Sequence, residues 1–247
     1  MTERGGPQHI PRPQLWTPGA PPLWRHEDSG LITPEVLRDR FGGRIGAPSP
    51  VEAEGGSPSA VLIPIYPTDD GLEVVLTRRA WTLRTHQGEV SFPGGRAEPG
   101  EDPATTALRE ACEEVTLDAA DVTVLGELDH LSTVTRRAYI VPVVALLEGR
   151  PELAASEAEV EQVLHVPLAE LLHPEVYREE QWGRPPDSRP VHFFELYGDT
   201  VWGATAAMLR QFLLLSLGHD PGHRDTWDPA GSAGPWSPPP GYEGRVV

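Results

Sequence analysis

The chain has 247 residues, 38% of them hydrophobic and 23% charged, which suits one main domain with extensions and excludes disorder throughout. Asp and Glu number 37 against 20 basic residues, all of them Arg, and the formal net charge of -17 excludes a broad face for a nucleic-acid backbone. Any anion site has to be built locally from Arg, His or backbone amides. Apolar runs fall short of a bilayer span, so no membrane partner is expected, and Met1 to Arg12 lacks the apolar stretch of a secretory signal. With a single cysteine, Cys112, there is no internal disulfide, and the expected compartment is a reducing cytoplasm.

Residues 1–57 read as a Pro/Gly-rich arm with one short helix, which Thr33-Pro34-Glu35 opens and Gly42-Gly43 stops after Phe41. Strands are predicted at Ala60 to Tyr66 and Leu72 to Thr77, joined by the turn Asp69-Asp70-Gly71, and a third at Val90 to Phe92. Ala104, Leu108, Cys112 and Val115 recur at helical spacing, with Asp102 as N-cap and Pro103 at the first helical position. On this helix Cys112 is expected on the apolar side, buried and without a role. Further strands follow at Val122 to Leu128, Tyr139 to Leu147, Val160 to Val166 and His192 to Tyr197. A short helix over Pro167 to Leu172 and a closing amphipathic one over Ala204 to Leu217 complete the core. The order argues α+β, with helices packed on a mixed sheet. The main domain is expected over 58–218, followed by a Pro/Gly-rich tail over 219–247. Both ends carry Trp (Trp16, Trp24, Trp227, Trp236), which leaves docking on the core or at a homodimer interface open, though their composition reads as solvated and removable.

The helix from Pro103 sets Glu110, Glu113 and Glu114 at i, i+3 and i+4, on one face. Three like charges this close repel unless a cation intervenes, and oxygen donors at this density suit Mg²⁺ or Mn²⁺.

Gly95, Glu101 and Arg109-Glu110-Ala111-Cys112-Glu113-Glu114-Val115-Thr116-Leu117 resemble the Nudix box, G-x5-E-x7-R-E-U-x-E-E-x-G-U. The resemblance implies a Nudix-type α/β/α sandwich. It implies metal ligands at Glu110, Glu113 and Glu114, with the Gly95 carbonyl as a fourth, and a supporting pair of Arg109 and Glu101 beside the catalytic groups. Thr116 departs from the pattern, standing where the family has Gly. A left-handed turn after the helix would cost a Thr more than a Gly.

Upstream, Leu76-Thr77-Arg78-Arg79-Ala80, Arg84, Gly88 and Phe92-Pro93-Gly94-Gly95 resemble the accessory motif of the coenzyme A pyrophosphatase branch, with Val75 in place of its first Leu. Arg forks and a Gly-rich turn suit a diphosphate with an extra phosphate, so Arg79, Arg84 and Gly94 are expected at the substrate. His86 either touches substrate or orients this loop. Arg136-Arg137 replace the small residues expected in this branch, and Arg137 joins the candidate substrate contacts. Glu159 sits where several Nudix enzymes place a late glutamate, making it a candidate base beside Glu110. The resemblance implies hydrolysis of coenzyme A or acyl-coenzyme A to adenosine 3′,5′-bisphosphate and 4′-phosphopantetheine. The alternatives are another nucleoside diphosphate derivative as substrate, or a silent Nudix module that binds a ligand for regulation.

Overall fold

In the computed structural model, alternation of apolar residues decides how the sheet is covered. The structure describes residues 4–25, 27–133 and 137–221. Its elements, in order, are β1 (Trp16–Pro18), α1 (Pro34–Phe41), α2 (Pro50–Ala53), β2 (Ser57–Thr68), β3 (Gly71–Arg79), β4 (Val90–Ser91), β5 (Gly94–Arg96) and α3 (Pro103–Val115). Then follow β6 (Val122–Glu127), β7 (Leu131–Ser132), β8 (Ala138–Leu147), β9 (Val160–Pro167), α4 (Leu168–Leu171), β10 (Tyr177–Trp182), β11 (Arg189–Glu195), β12 (Thr200–Trp202) and α5 (Gly203–Ser216).

The main sheet runs β4-β3-β2-β8-β6, with β5 added to β2, β7 to β8 and β9 to β3. Only β2 and β8 pair in parallel, so the sheet is mixed. Along β2, Ala60, Leu62 and Tyr66 face one core with Ala107, Ala111 and Val115 of α3. Ile63 and Ile65 face a second core with Leu37 and Phe41 of α1 and Leu209, Phe212 and Leu213 of α5. The period of two along the strand therefore feeds two helical layers. The result is the predicted α+β fold, an α/β/α sandwich on a mixed sheet.

The structure changes the reading of the N-terminal segment. Trp24, expected on a removable arm, is 0% exposed and lies in the α1/α5 core. Its ring meets Tyr177 edge-on at 4.9 Å and stacks on Phe194 at 6.2 Å. Those partners belong to a second, antiparallel sheet ordered β1-β10-β11-β12, in which Trp16 pairs with Trp182. Strand β10 reads Tyr-Arg-Glu-Glu-Gln-Trp, without the apolar alternation that would have marked it. Trp227 and Trp236 lie outside the described residues.

Two smaller expectations meet the same test. Cys112 is exposed rather than buried, because the buried face of α3 runs through Ala107, Ala111 and Val115. Thr116 does take the left-handed conformation, at φ 58° and ψ 27°, and its hydroxyl accepts from the Ala154 amide at 3.0 Å. The side chain thus recovers part of what the backbone geometry costs.

Candidate metal and diphosphate site

Two glycines bring a loop against the helix that carries the carboxylates. A Cβ on Gly94 would lie 2.4 Å from the Ala60 carbonyl oxygen, and one on Gly95 would lie 2.5 Å from the Glu110 carboxyl. At Gly94, where the obstacle is the backbone of β2, only glycine fits. Helix α3 starts where the sequence places it, with Asp102 accepting from the Thr105 amide at 2.8 Å and Pro103 at the first position.

Arg109 ties the loop to the helix. Its Nε and Nη2 donate to the two Glu101 oxygens at 2.8 and 3.1 Å, and Nη2 also donates to the Arg96 carbonyl at 3.1 Å. Nη1 donates to Glu110 at 3.0 Å and Glu113 at 3.2 Å. A guanidinium has five N–H groups, and all five are engaged within the protein. Arg109 therefore positions its neighbours, with no donor left over for a substrate. Glu101, held by Arg109 and by the Glu98 amide, has its carboxyl lowered to about 2.

The three box glutamates occupy different environments. Glu114 is 4% exposed, and its burial pushes its pKa up to about 7, opposed by the Gly94 amide at 3.2 Å and by the charge of Arg79. Glu110 is also raised, first by desolvation, and the charges of Glu113 and Glu159 add to the effect against Arg109. Glu113 has a side chain 61% exposed and lies against Arg109. Among the described residues no three acidic, His or Cys side chains converge in a metal-holding group. Glu110 lies against Gly95 and Glu114 accepts from the Gly94 amide, while Glu113 points to the guanidinium.

The donor chemistry still fits a hard divalent cation. A buried carboxylate whose charge is penalised by desolvation, beside a second one pressed on a glycine backbone, is an all-oxygen site short of positive charge. Glu159 is exposed, and its backbone carbonyl accepts from the Ala80 amide at 2.8 Å. Its charge is felt at both Glu110 and Glu114.

Arg79 stands at the end of β3, between these carboxylates and the loop over residues 80–89. Its Nε is buried and has no hydrogen-bond partner among the described residues. Arg84 and His86 are exposed on that loop, and His86 takes a left-handed φ of 55° with Nδ1 2.8 Å from Glu89. Glu89 raises the His86 pKa. The Gly94 amide donates to Glu114. Arg137 is exposed just before β8, where its carbonyl accepts from Ser57, and Arg136 lies outside the described residues.

A NUDIX domain model matches residues 56–185, more than half of the chain. The chain belongs to the Nudix family. It is 36% identical over 187 residues to the Nudix hydrolase NudL of Photorhabdus laumondii, a match covering 73% of this chain and 96% of that one. It is 42% identical over 160 residues to Nudix hydrolase 22, chloroplastic, of Arabidopsis thaliana, of which it spans only 52%. Nudix hydrolase 3 of Caenorhabditis elegans is 34% identical over 183 residues, covering 66% of this chain and 75% of the relative. Among solved structures, RenU, a Nudix hydrolase from M. smegmatis, aligns with 44% of this chain and 70% of its own at 23% identity and a TM-score of 0.39. The chain thus groups with the Nudix hydrolases, and among its described residues no helix is long and apolar enough to cross a membrane.

Proposed function

We propose that the protein cleaves the diphosphate of coenzyme A or acyl-coenzyme A, in the cytoplasm, yielding adenosine 3′,5′-bisphosphate and 4′-phosphopantetheine or its acyl form. The observation that carries this reading is the place of Arg79, at the end of β3 with its charge acting on Glu114 and its chain running on into the loop that exposes Arg84 and His86. Guanidinium groups gathered beside the carboxylates match the oxygens of a phosphate chain in charge and geometry.

Glu110 and Glu114 would hold Mg²⁺ or Mn²⁺ with Gly95, and Glu113 lies on the same helix face to complete the set. The bound cation would neutralise the diphosphate and acidify a water. Water oxygen bonds to phosphorus, its proton passes to a carboxylate, and the bond to the bridging oxygen breaks, so that each half leaves as a phosphate. Glu110 and Glu159 are the two candidate bases, since both border Glu114 electrostatically. Arg109 holds Glu110 in place throughout.

Incubation with coenzyme A, dephospho-coenzyme A, ADP-ribose, NADH and nucleoside triphosphates, with Mg²⁺ or Mn²⁺ and product masses read, tests the proposal. Release of 4′-phosphopantetheine is expected as the fastest reaction. Faster turnover of ADP-ribose would move the substrate to another nucleoside diphosphate, and no turnover at all would favour a ligand-binding module.

A further inference from the structure

Gln8 lies in the N-terminal segment, far in sequence from the family-matched region, yet it is 7% exposed and touches the loop over residues 80–89. Its Nε2 donates to the Gly88 carbonyl at 3.0 Å and to Asp199 Oδ1 at 2.7 Å, and its Oε1 accepts from the Thr200 amide at 2.8 Å. The amide orientation follows from those partners, because a carbonyl and a carboxylate only accept and a backbone N–H only donates. Both ends of the side chain are thereby engaged.

Each partner is itself anchored. Asp199 is 3% exposed and pairs through both oxygens with Arg78, Nε at 2.7 Å, so Gln8 joins the end of β3 to the turn before β12. The Gly88 amide donates to the Arg79 carbonyl at 3.2 Å, closing the loop on the residue whose guanidinium lies beside Glu114. On its other side Gly88 carries the Trp81 ring, which an added Cβ would meet at 2.2 Å. The segment that delivers Gln8 is pinned separately, by Gly5 donating to the Leu196 carbonyl at 2.7 Å and Gly6 to the Thr200 hydroxyl at 3.1 Å.

We propose that Gln8 is a positioning residue that fixes the loop presenting Arg79, Arg84 and His86 to the substrate phosphates, a role that rests on the reading of that loop as phosphate-binding. The loop itself is glycine-bearing and largely exposed, and holding its arginines in place before binding removes an ordering cost from each encounter. Gln8 supplies that order from outside the matched domain, using two donors and one acceptor in a buried place where an unmade bond is expensive.

The test compares the full-length protein with Gln8→Leu, which removes donor and acceptor, and Gln8→Glu, which keeps the size but sets a carboxylate against the Gly88 carbonyl and Asp199. Amide hydrogen exchange over 80–89 is expected to quicken by about tenfold in both variants, with β2 rates unchanged. KM for coenzyme A should rise about fivefold or more while kcat stays within about twofold. Combined with Arg84→Ala, the KM effects should be less than additive, since both act through one loop. If wild-type protein prefers ADP-ribose, the substrate reading fails and KM is read on ADP-ribose. If no diphosphate is turned over, loop exchange alone decides. Unchanged loop exchange, or a kcat loss with KM intact, overturns the role of Gln8; should Gln8→Leu fail to fold, Gln8→Glu decides.

Discussion

Glu113 and Glu114 show how far identical side chains on one helix can diverge. One is mostly exposed and answers to Arg109, while the other is buried with its pKa pushed up to about 7. Glu114→Gln keeps size and removes the charge a divalent cation needs, so turnover should fall at least ~100-fold, on the order of 3 kcal/mol of lost transition-state stabilisation. The same is expected for Glu113→Gln; either variant keeping a third of wild-type kcat at saturating metal would remove that glutamate from the metal set. Stability should move the other way at Glu114. Its folded-state pKa lies above the ordinary 4.5, so in metal-free buffer it costs stability as pH rises from about 4.5 to 7. Urea unfolding at pH 8 should therefore find Glu114→Gln more stable than wild type, by ~1–3 kcal/mol. At the arginines, Arg79→Ala or Arg84→Ala should raise KM for coenzyme A more than for dephospho-coenzyme A. Equal rises would reassign them to the diphosphate.

At the scale of elements, α3 and its preceding loop behave as one unit because Glu101 and Arg109 lock them together at 2.8 and 3.1 Å. Glu101 has a folded-state carboxyl near 2 against an ordinary 4.5, so its contribution is complete above about pH 4.5 and disappears as pH falls toward 2. Unfolding curves between those limits should steepen in wild type relative to Glu101→Gln, and parallel curves would show that the pair adds no pH-linked stability. The start of α3 was legible from Asp102-Pro103, since capping is local chemistry. Its exposed Cys112 was not, because helical spacing assigns a stripe but its edges depend on the packed sheet. Thr116 completes the exit turn without the glycine the box calls for, helped by its bond to the Ala154 amide, a contact across 38 positions.

For the whole molecule, the N-terminal segment is structure rather than appendage. Trp24→Ala removes a fully buried ring lying against Tyr177 and Phe194 and should cost ~3–5 kcal/mol, read as a lowered Tm. Removing residues 1–25 should cost more, because β1 and Gln8 go with Trp24. A truncated protein with wild-type Tm and KM would restore the segment to a dispensable arm.

The sequence alone carried the main-sheet strands β2, β3, β6, β8 and β9, the helices α1, α3 and α5, and the Nudix family, because period-two and helical spacing, caps and a motif of fixed intervals are local properties of the chain. It also placed Glu101, Arg109, Glu110, Glu113 and Glu114 on one short stretch. Tertiary structure decided how unlike their environments are: that Gly94 spends its amide on Glu114, that Arg79 buries its Nε, and that Trp24 and Gln8 belong to the folded body. Each of these depends on residues from separate elements meeting in the folded chain, and burial, which sets both the cost of a charge and the worth of a hydrogen bond, exists only once they meet.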